Sequence, residues 1–262
     1  MTIIMKEYNQ EQVEKLKQLI SVSSLETDEI NIVNQPYKYA YSAFHQNEMI
    51  GLIVAWKSSF HPHCTYFRVI HHPEYTNLVD ELITEMEENL HEDEYPLQTV
   101  VMENTYLDRY YATNSYQVAR KTYLPSVLVS LCHAEGIELP ENRLIMSLDG
   151  ISTNPNLVQK LINLVKSVYE QTHLINPVAE LELATWRKMI FAEDTIMLGS
   201  YVCLDEKGDD IVAFSLLHES DKPKTIELGW CGSSCCGEMK TVTQLVNSIC
   251  KKAWIFLIRR RI

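Results

Sequence analysis

The sequence predicts an α/β (α+β) fold of two modules in tandem, each a mixed, mostly antiparallel sheet flanked by helices. Three observations predict it. The order strand, helix, hairpin, strand, helix occurs twice along the 262 residues, and self-similarity of that kind marks a duplicated unit. The spacing of apolar residues switches repeatedly between a period of two and a period of about 3.6, the signatures of strands and helices. A composition 46% hydrophobic and 22% charged supplies apolar side chains for two cores of ordinary domain size.

In the first half, "TIIMKEY" is short, β-branched and apolar, as a strand requires. "NQEQVEKLKQLI" follows with Val13, Leu16, Leu19 and Ile20 at helical spacing and Asn9 as an N-cap. "YKYAYSAFHQNEMIGLIVAWKSS" reads as two strands joined by a tight turn at residues 45–48, and "CTYFRVI" as a third strand. A helix carrying Leu78, Leu82, Ile83, Met86 and Leu90 comes next, then a strand "LQTVVME", a tyrosine-rich helix opening at Asn104, and a strand "YQVARKTYLP".

The second half repeats the order. "RLIMSLDG" is strand-like, and "NPNLVQKLINLVKSVYEQTH" is an amphipathic helix with Asn154 as cap and Pro155 at its first position. A shorter helix "LELATWRKMIF" precedes the hairpin "GSYVCLDEKGDDIVAFSLLHES", whose turn is acidic and contains Gly208. "KTIELGWCG" matches the third strand and "EMKTVTQLVNSICKKAW" the following helix. The composition shifts at "HAEGIELPEN", which puts the modules at 1–136 and 137–262. The second copy runs into "WIFLIRRRI" without the later strands and tyrosine helix, and so reads as incomplete.

A net charge of −12 argues against general affinity for nucleic acid or an anionic membrane. "DELITEMEENLHEDE" holds eight carboxylates and no Lys or Arg, and reads as a solvated helix face running into an acidic loop. The N-terminus shows no basic region followed by an apolar run, and "AWIFLI" is too short to span a bilayer. Seven cysteines without framework spacing suit a reducing, cytoplasmic compartment. His61, His63, His71 and His72 cluster in sequence, but no carboxylate or thiol pattern completes a metal site. Cys231, Cys235 and Cys236 likewise lack a second ligand pair.

Two stretches carry a family resemblance. Asn104, Tyr111, Ser115 and Tyr116 stand at the offsets of an Asn, Tyr, Gly, Phe series, with Ser replacing Gly and Tyr replacing Phe. Val69, His71, Pro73, Glu74 and Tyr75 in "VIHHPEY" match a V-x-P-E-Y run at the end of a fourth strand. Both resemble the GNAT acyltransferase superfamily, whose members move an acyl group from a coenzyme A thioester to an amine. The resemblance spans the chain as element order and is specific at residues 67–77 and 104–123.

It implies acetyl-CoA as co-substrate, no metal, and a small-molecule amine acceptor, with Tyr111 as the proton donor to the leaving thiolate. Splayed strands expose backbone groups that can pair with pantetheine amides as an added strand would, a task that falls to Val69, Ile70 and His71. The pyrophosphate would sit on the N–H groups opening the following helix, around Tyr75, Thr76 and Asn77. Asn104 opens the late helix as its cap. Glu227 in "TIELGW" stands where relatives can carry a carboxylate base, and partial burial would suit that task.

One departure stands out. The family's phosphate loop is glycine-rich because only glycine lets backbone amides approach closely, yet "YTNLVDEL" has no glycine. "GWCGSSCCGEMK" has Gly229, Gly232 and Gly237 but no basic residue and not the family spacing. The competing reading is therefore a module that binds a ligand or partner without turnover. An incomplete second module would also leave a sheet edge that a second copy of the chain, in a homodimer, could cover.

Overall fold

The computed structural model describes residues 2–23, 33, 36–123, 126 and 143–234. They form two compact units, Met1–Lys121 with Ile175–Ala179, and Thr122–Leu174 with Glu180–Ile262. Each is a helix-flanked, mostly antiparallel sheet, the fold class that the repeated element order requires.

The first unit contains β1 (Ile4–Glu7), α1 (Val13–Val22), β2 (Tyr39–His45), β3 (Glu48–Trp56), β4 (Thr65–His71), α2 (Leu78–Glu88), β5 (Leu97–Gln98) and α3 (Tyr106–Thr113). The sheet order is β1-β2-β3-β4-β5, antiparallel except for the parallel pair β4 and β5. Gln46 and Asn47 join β2 to β3, both with positive φ, as a two-residue turn matched to strand twist demands. Leu16, Leu19 and Ile20 of α1 cover one face of the sheet against Leu52, Val54 and Ile70. Leu78, Leu82 and Met86 of α2 cover the other against Ile53, Phe67 and Val69. Each such side chain contributes about 1.5–3 kcal/mol by leaving water. The strands are therefore hydrophobic on both faces, and β3 is buried at Met49, Ile50 and residues 51–55 alike.

Glu94 is a buried carboxylate in this unit, held by an ion pair with Lys38, the Tyr39 hydroxyl at 3.2 Å and the His91 amide at 2.7 Å. The Glu94 carbonyl also accepts from the Thr65 hydroxyl at 2.6 Å. Asn176 belongs here as well. Its Nδ2 donates to the Tyr66 hydroxyl at 2.6 Å and to Gln98 Oε1 at 2.8 Å, while the Ala179 amide donates to the Phe60 carbonyl at 2.9 Å.

The second unit contains β6 (Ile145–Ser147), α4 (Leu148–Ile151), α5 (Pro155–Thr172), α6 (Leu183–Ile190), β7 (Tyr201–Leu204), β8 (Ile211–Glu219) and β9 (Ile226–Ser233). Its sheet is β6-β7-β8-β9, antiparallel throughout. The Asn154 side chain accepts from the amides of Asn156 and Leu157 with Pro155 at the first position, so α5 starts where the sequence requires. Leu157, Val158, Leu161, Ile162 and Val165 form its buried stripe. Trp186 of α6 is fully buried.

Several segments differ from the sequence expectation. The strand expected over "LQTVVME" is only Leu97–Gln98, because β5 leaves β4 after two residue pairs. The tyrosine helix opens at Tyr106 with Thr105 as cap, not at Asn104. Residues 116–123 form no strand. The segment 133–142 and the helix expected in "EMKTVTQLVNSICKKAW" lie outside the described residues.

Candidate active site

The outer edge of β4 is where the first unit departs from a closed sheet. The Thr65 amide donates to the Pro96 carbonyl at 3.0 Å, and β5 pairs with Thr65 and Tyr66 alone. The strand then runs on through residues 67–71 with β3 on one side and, among the described residues, no strand on the other. The His72 amide donates to the Ile50 carbonyl at 2.8 Å. Backbone direction alternates along a strand, so Tyr66, Arg68 and Ile70 address β3 while Phe67, Val69 and His71 address the outer edge. Ile70 therefore spends its backbone groups on the ladder with Leu52. The His71 carbonyl accepts from the Ser23 hydroxyl at 2.8 Å. Among the described residues, the Val69 backbone and the His71 amide remain for an extended ligand. The Arg68 guanidinium crosses the divergence to the Val100 carbonyl.

Tyr111 lies against the start of this edge. The Thr105 side chain accepts from the Asp108 amide at 3.2 Å, and the Asp108 carboxylate accepts from the Asn104 amide at 2.9 Å. This reciprocal cap fixes the first turn of α3. Asn104 takes a φ of 65°, a left-handed conformation that Asn tolerates, and precedes the cap. The helix then brings the Tyr111 ring edge-on to Phe67 at 5.8 Å and to 4.9 Å from Tyr116.

Tyr111 is 5% exposed, and its hydroxyl is buried without a hydrogen-bond partner among the described residues. Thr99 and Arg68 oppose the effect of burial on its pKa, yet the Thr99 hydroxyl has no partner in hydrogen-bond geometry among the described residues. Burial dominates, with Tyr116 adding to it, and holds the Tyr111 phenol far above its ordinary pKa. Tyr116 is pushed up to about 12, chiefly by burial. Tyr111 is thus a protonated donor at neutral pH with no acceptor in hydrogen-bond geometry among the described residues. An unmade buried hydrogen bond costs about 1–3 kcal/mol and calls for an explanation in function.

The start of α2 is differently furnished. The Tyr75 amide donates to the His72 carbonyl at 2.9 Å, the Leu78 amide to Tyr75 at 3.1 Å and the Val79 amide to Thr76 at 3.2 Å. Asn77 sits at the cap position with helical φ and ψ and makes no capping hydrogen bond. Asp80 and Glu81 occupy the first turn, where carboxylates suit the helix dipole. Tyr106 donates to the Thr76 carbonyl at 3.1 Å and Tyr110 to the Asp80 carboxylate at 2.8 Å. Burial, then the Asp80 hydrogen bond, raises the Tyr110 pKa. The helix lies close to the sheet because Gly51 leaves room: a Cβ there would stand 2.5 Å from Leu78 Cδ2. The His71 imidazole packs edge-on to Tyr106 at 5.5 Å, and burial lowers its pKa.

Glu227 belongs to the second unit. It is exposed, opposite His218 on β8, and accepts from the Ser220 hydroxyl at 2.7 Å, so the partial burial expected of it is not found. A cavity of about 420 Å³ opens between α5 and the sheet, lined by Tyr169, His173, Phe214 and Trp230. Among the described residues no group of three His, Cys, Asp or Glu could hold a metal, and no helix is long and apolar enough to cross a membrane. Cys231 is exposed; Cys235 and Cys236 lie outside the described residues.

Sequence reasoning missed Arg68, Asp80, Thr99, Tyr106 and Tyr110. Two signals were available: Arg68 is the one charge in "CTYFRVI", and Tyr106 and Tyr110 are four apart on one helix face.

No family model matches the sequence, and no curated protein matches it. Solved structures do match. A GCN5-related N-acetyltransferase from Sphaerobacter thermophilus superposes with a TM-score of 0.63 at 12% identity, covering 97% of this chain and 83% of that one. A GCN5-related glucosamine N-acetyltransferase region of a fungal multi-domain GH3 beta-N-acetylglucosaminidase gives 0.57 at 13% identity, covering 100% of this chain and 34% of that one. This chain thus spans about a third of the fungal protein's length. The open outer edge of β4, the tyrosine helix beside it and these superpositions agree: the chain has the fold of the GCN5-related (GNAT) N-acetyltransferases.

Proposed function

We propose that the first unit is an N-acetyltransferase that moves an acetyl group from acetyl-CoA to the amine of a small acceptor. The observation that carries this reading is the pairing of an open β4 edge beyond Tyr66 with the buried, unsatisfied hydroxyl of Tyr111 beside Phe67. The thioester's pantetheine arm lies along that edge and pairs with the Val69 backbone and the His71 amide as a short added strand. The acceptor nitrogen attacks the thioester carbonyl, the carbon–sulfur bond breaks, an amide forms, and the thiol leaves without a covalent enzyme intermediate.

A thiol of ordinary pKa about 8.5 is more acidic than a phenol of about 10, and burial raises Tyr111 further. The proton therefore stays on the phenol, and Tyr111 serves as a hydrogen-bond donor to the developing thiolate. The attacking amine's proton is the one that neutralises the sulfur at the end. The net charge of −12 favours a cationic amine as acceptor. Two tandem modules divided near residue 136, a cytoplasmic location and an open edge suited to a homodimer complete the reading.

A second reading, a module that binds a ligand or protein partner without turnover, is favoured by the glycine-free loop and the carboxylates at the start of α2. A thermal-shift titration with acetyl-CoA, with ATP as control, comes first. At a hundred times Kd the donor should add about 2.7 kcal/mol, and ATP nothing. Amine-dependent thiol release that falls about a hundredfold in Tyr111→Phe supports the transferase. A saturable shift without thiol release across an amine panel supports the second reading, and no shift at millimolar acetyl-CoA sinks the transferase.

A further inference from the structure

The two halves of a coenzyme A thioester meet very different surroundings in the first unit. The pantetheine arm is neutral and needs amide partners, which the outer edge of β4 offers at Val69 and His71. The 3′-phosphoadenosine pyrophosphate half carries several negative charges and needs free N–H groups, close backbone approach and positive potential. The start of α2 has neither a glycine nor a Lys or Arg, and part of its N–H groups are spent. Its Leu78 and Val79 amides are already turned onto the Tyr75 and Thr76 carbonyls. Tyr106 and Tyr110 donate into the same turn, one to Thr76 and one to Asp80. Residues 69–108 contain eleven carboxylates, no Lys or Arg and no glycine.

We infer that this unit recognises its donor through the pantetheine arm alone, so that its donor class is thioesters of pantetheine, and that the nucleotide half of coenzyme A contributes no affinity. This inference rests on the thioester-donor reading above and narrows it. Asp80 and Glu81 are the residues that exclude the anion: they occupy the helix start where a pyrophosphate would lie, and one of them is fixed by Tyr110.

The test is calorimetric titration of the full chain with S-acetyl-pantetheine, acetyl-CoA and 3′-phosphoadenosine 5′-diphosphate. The two thioesters should bind within about threefold of each other, and the free nucleotide half should not bind. Raising NaCl from about 0.05 to 0.5 M screens charge repulsion and should leave acetyl-pantetheine unchanged while acetyl-CoA holds or tightens. The double variant Asp80→Asn, Glu81→Gln should tighten acetyl-CoA about fivefold and leave acetyl-pantetheine within about twofold, as removal of like charge predicts. The asparagine keeps an acceptor for Tyr110, and the salt series decides the matter if the variant does not fold.

Acetyl-CoA binding about tenfold tighter than acetyl-pantetheine, or weakening with salt as a cation-lined phosphate site does, overturns the inference and leaves the donor reading standing. Saturable binding of the nucleotide half alone does the same. Failure of both thioesters to bind overturns the donor reading and this inference together.

Discussion

β4 and β9 follow one sequence plan, a hairpin and then a third strand, yet among the described residues they meet different surroundings. β4 is clamped between α1 and α2, with Phe67, Val69 and Ile70 buried. β9 has α5 against it, and Leu228 on it is 49% exposed. Gly232 marks the close approach, since a Cβ there would stand 2.7 Å from Val168 Cγ1. Among the described residues, then, the repeated element order reproduces the sheet, and the features beside β4 come in addition to it. The proposed site needs β5 to part from β4 and α3 to bring a phenol to the divergence. Only the first unit has both among the described residues.

Truncating a side chain on each strand should give the largest difference. Phe67→Ala should cost about 3–5 kcal/mol, and Leu228→Ala less than about 0.5 kcal/mol, read by urea denaturation. Equal costs would mean that β9 is as deeply packed as β4. Next comes Gly51→Val. Overpacking against Leu78 should cost about 1–3 kcal/mol and move the start of α2, so donor affinity should fall along with the melting temperature; loss of stability with unchanged affinity would separate α2 from the site.

Alkaline pH sharpens the contrast without mutation. Burial raises the phenols of Tyr110, Tyr111 and Tyr116 in the folded first unit. The folded unit keeps protons that the unfolded chain gives up near pH 10. Its stability is therefore full below about pH 10 and declines as pH rises beyond that value. Melting followed by tryptophan and tyrosine fluorescence from pH 8 upward, with pH 8 as the plateau, checks this; a flat profile through pH 11 contradicts it. The smallest effect belongs to Tyr111→Phe. Removing a buried hydroxyl that has no partner should leave stability unchanged or raise it by up to about 1 kcal/mol, while transfer falls. A clear loss of stability would mean that the hydroxyl holds the fold and not a substrate.

Periodicity carried most of the fold. The buried stripes of α1, α2 and α5, the hairpin at Gln46 and Asn47 and the Asn154 cap were all legible, because each depends on neighbours within a few residues. The early end of β5 was not: residues 99–103 have strand-like composition, and only the course of β4 beside them decides whether they pair. Asn104 illustrates the same limit at one residue. It is a good capping type, but Thr105 follows it, and the Asp108 carboxylate settles which of the two starts the helix. At the site, Tyr111 and Val69 stood in recognisable offsets. Tyr106 meets Thr76 and Tyr110 meets Asp80 only across thirty residues of chain, which local spacing does not encode.

The five residues Ile175–Ala179 follow α5 in sequence but pack within the first unit, where Asn176 ties Tyr66 to Gln98. During synthesis the first unit is thus left one strap short until the ribosome has also made the whole of α5. A gene cut between the halves, wherever it falls before residue 175, would release a first fragment whose Tyr66, Gln98 and Phe60 groups lack the bonds that Asn176 and Ala179 supply. The order in which this protein is written is not the order in which it is finished.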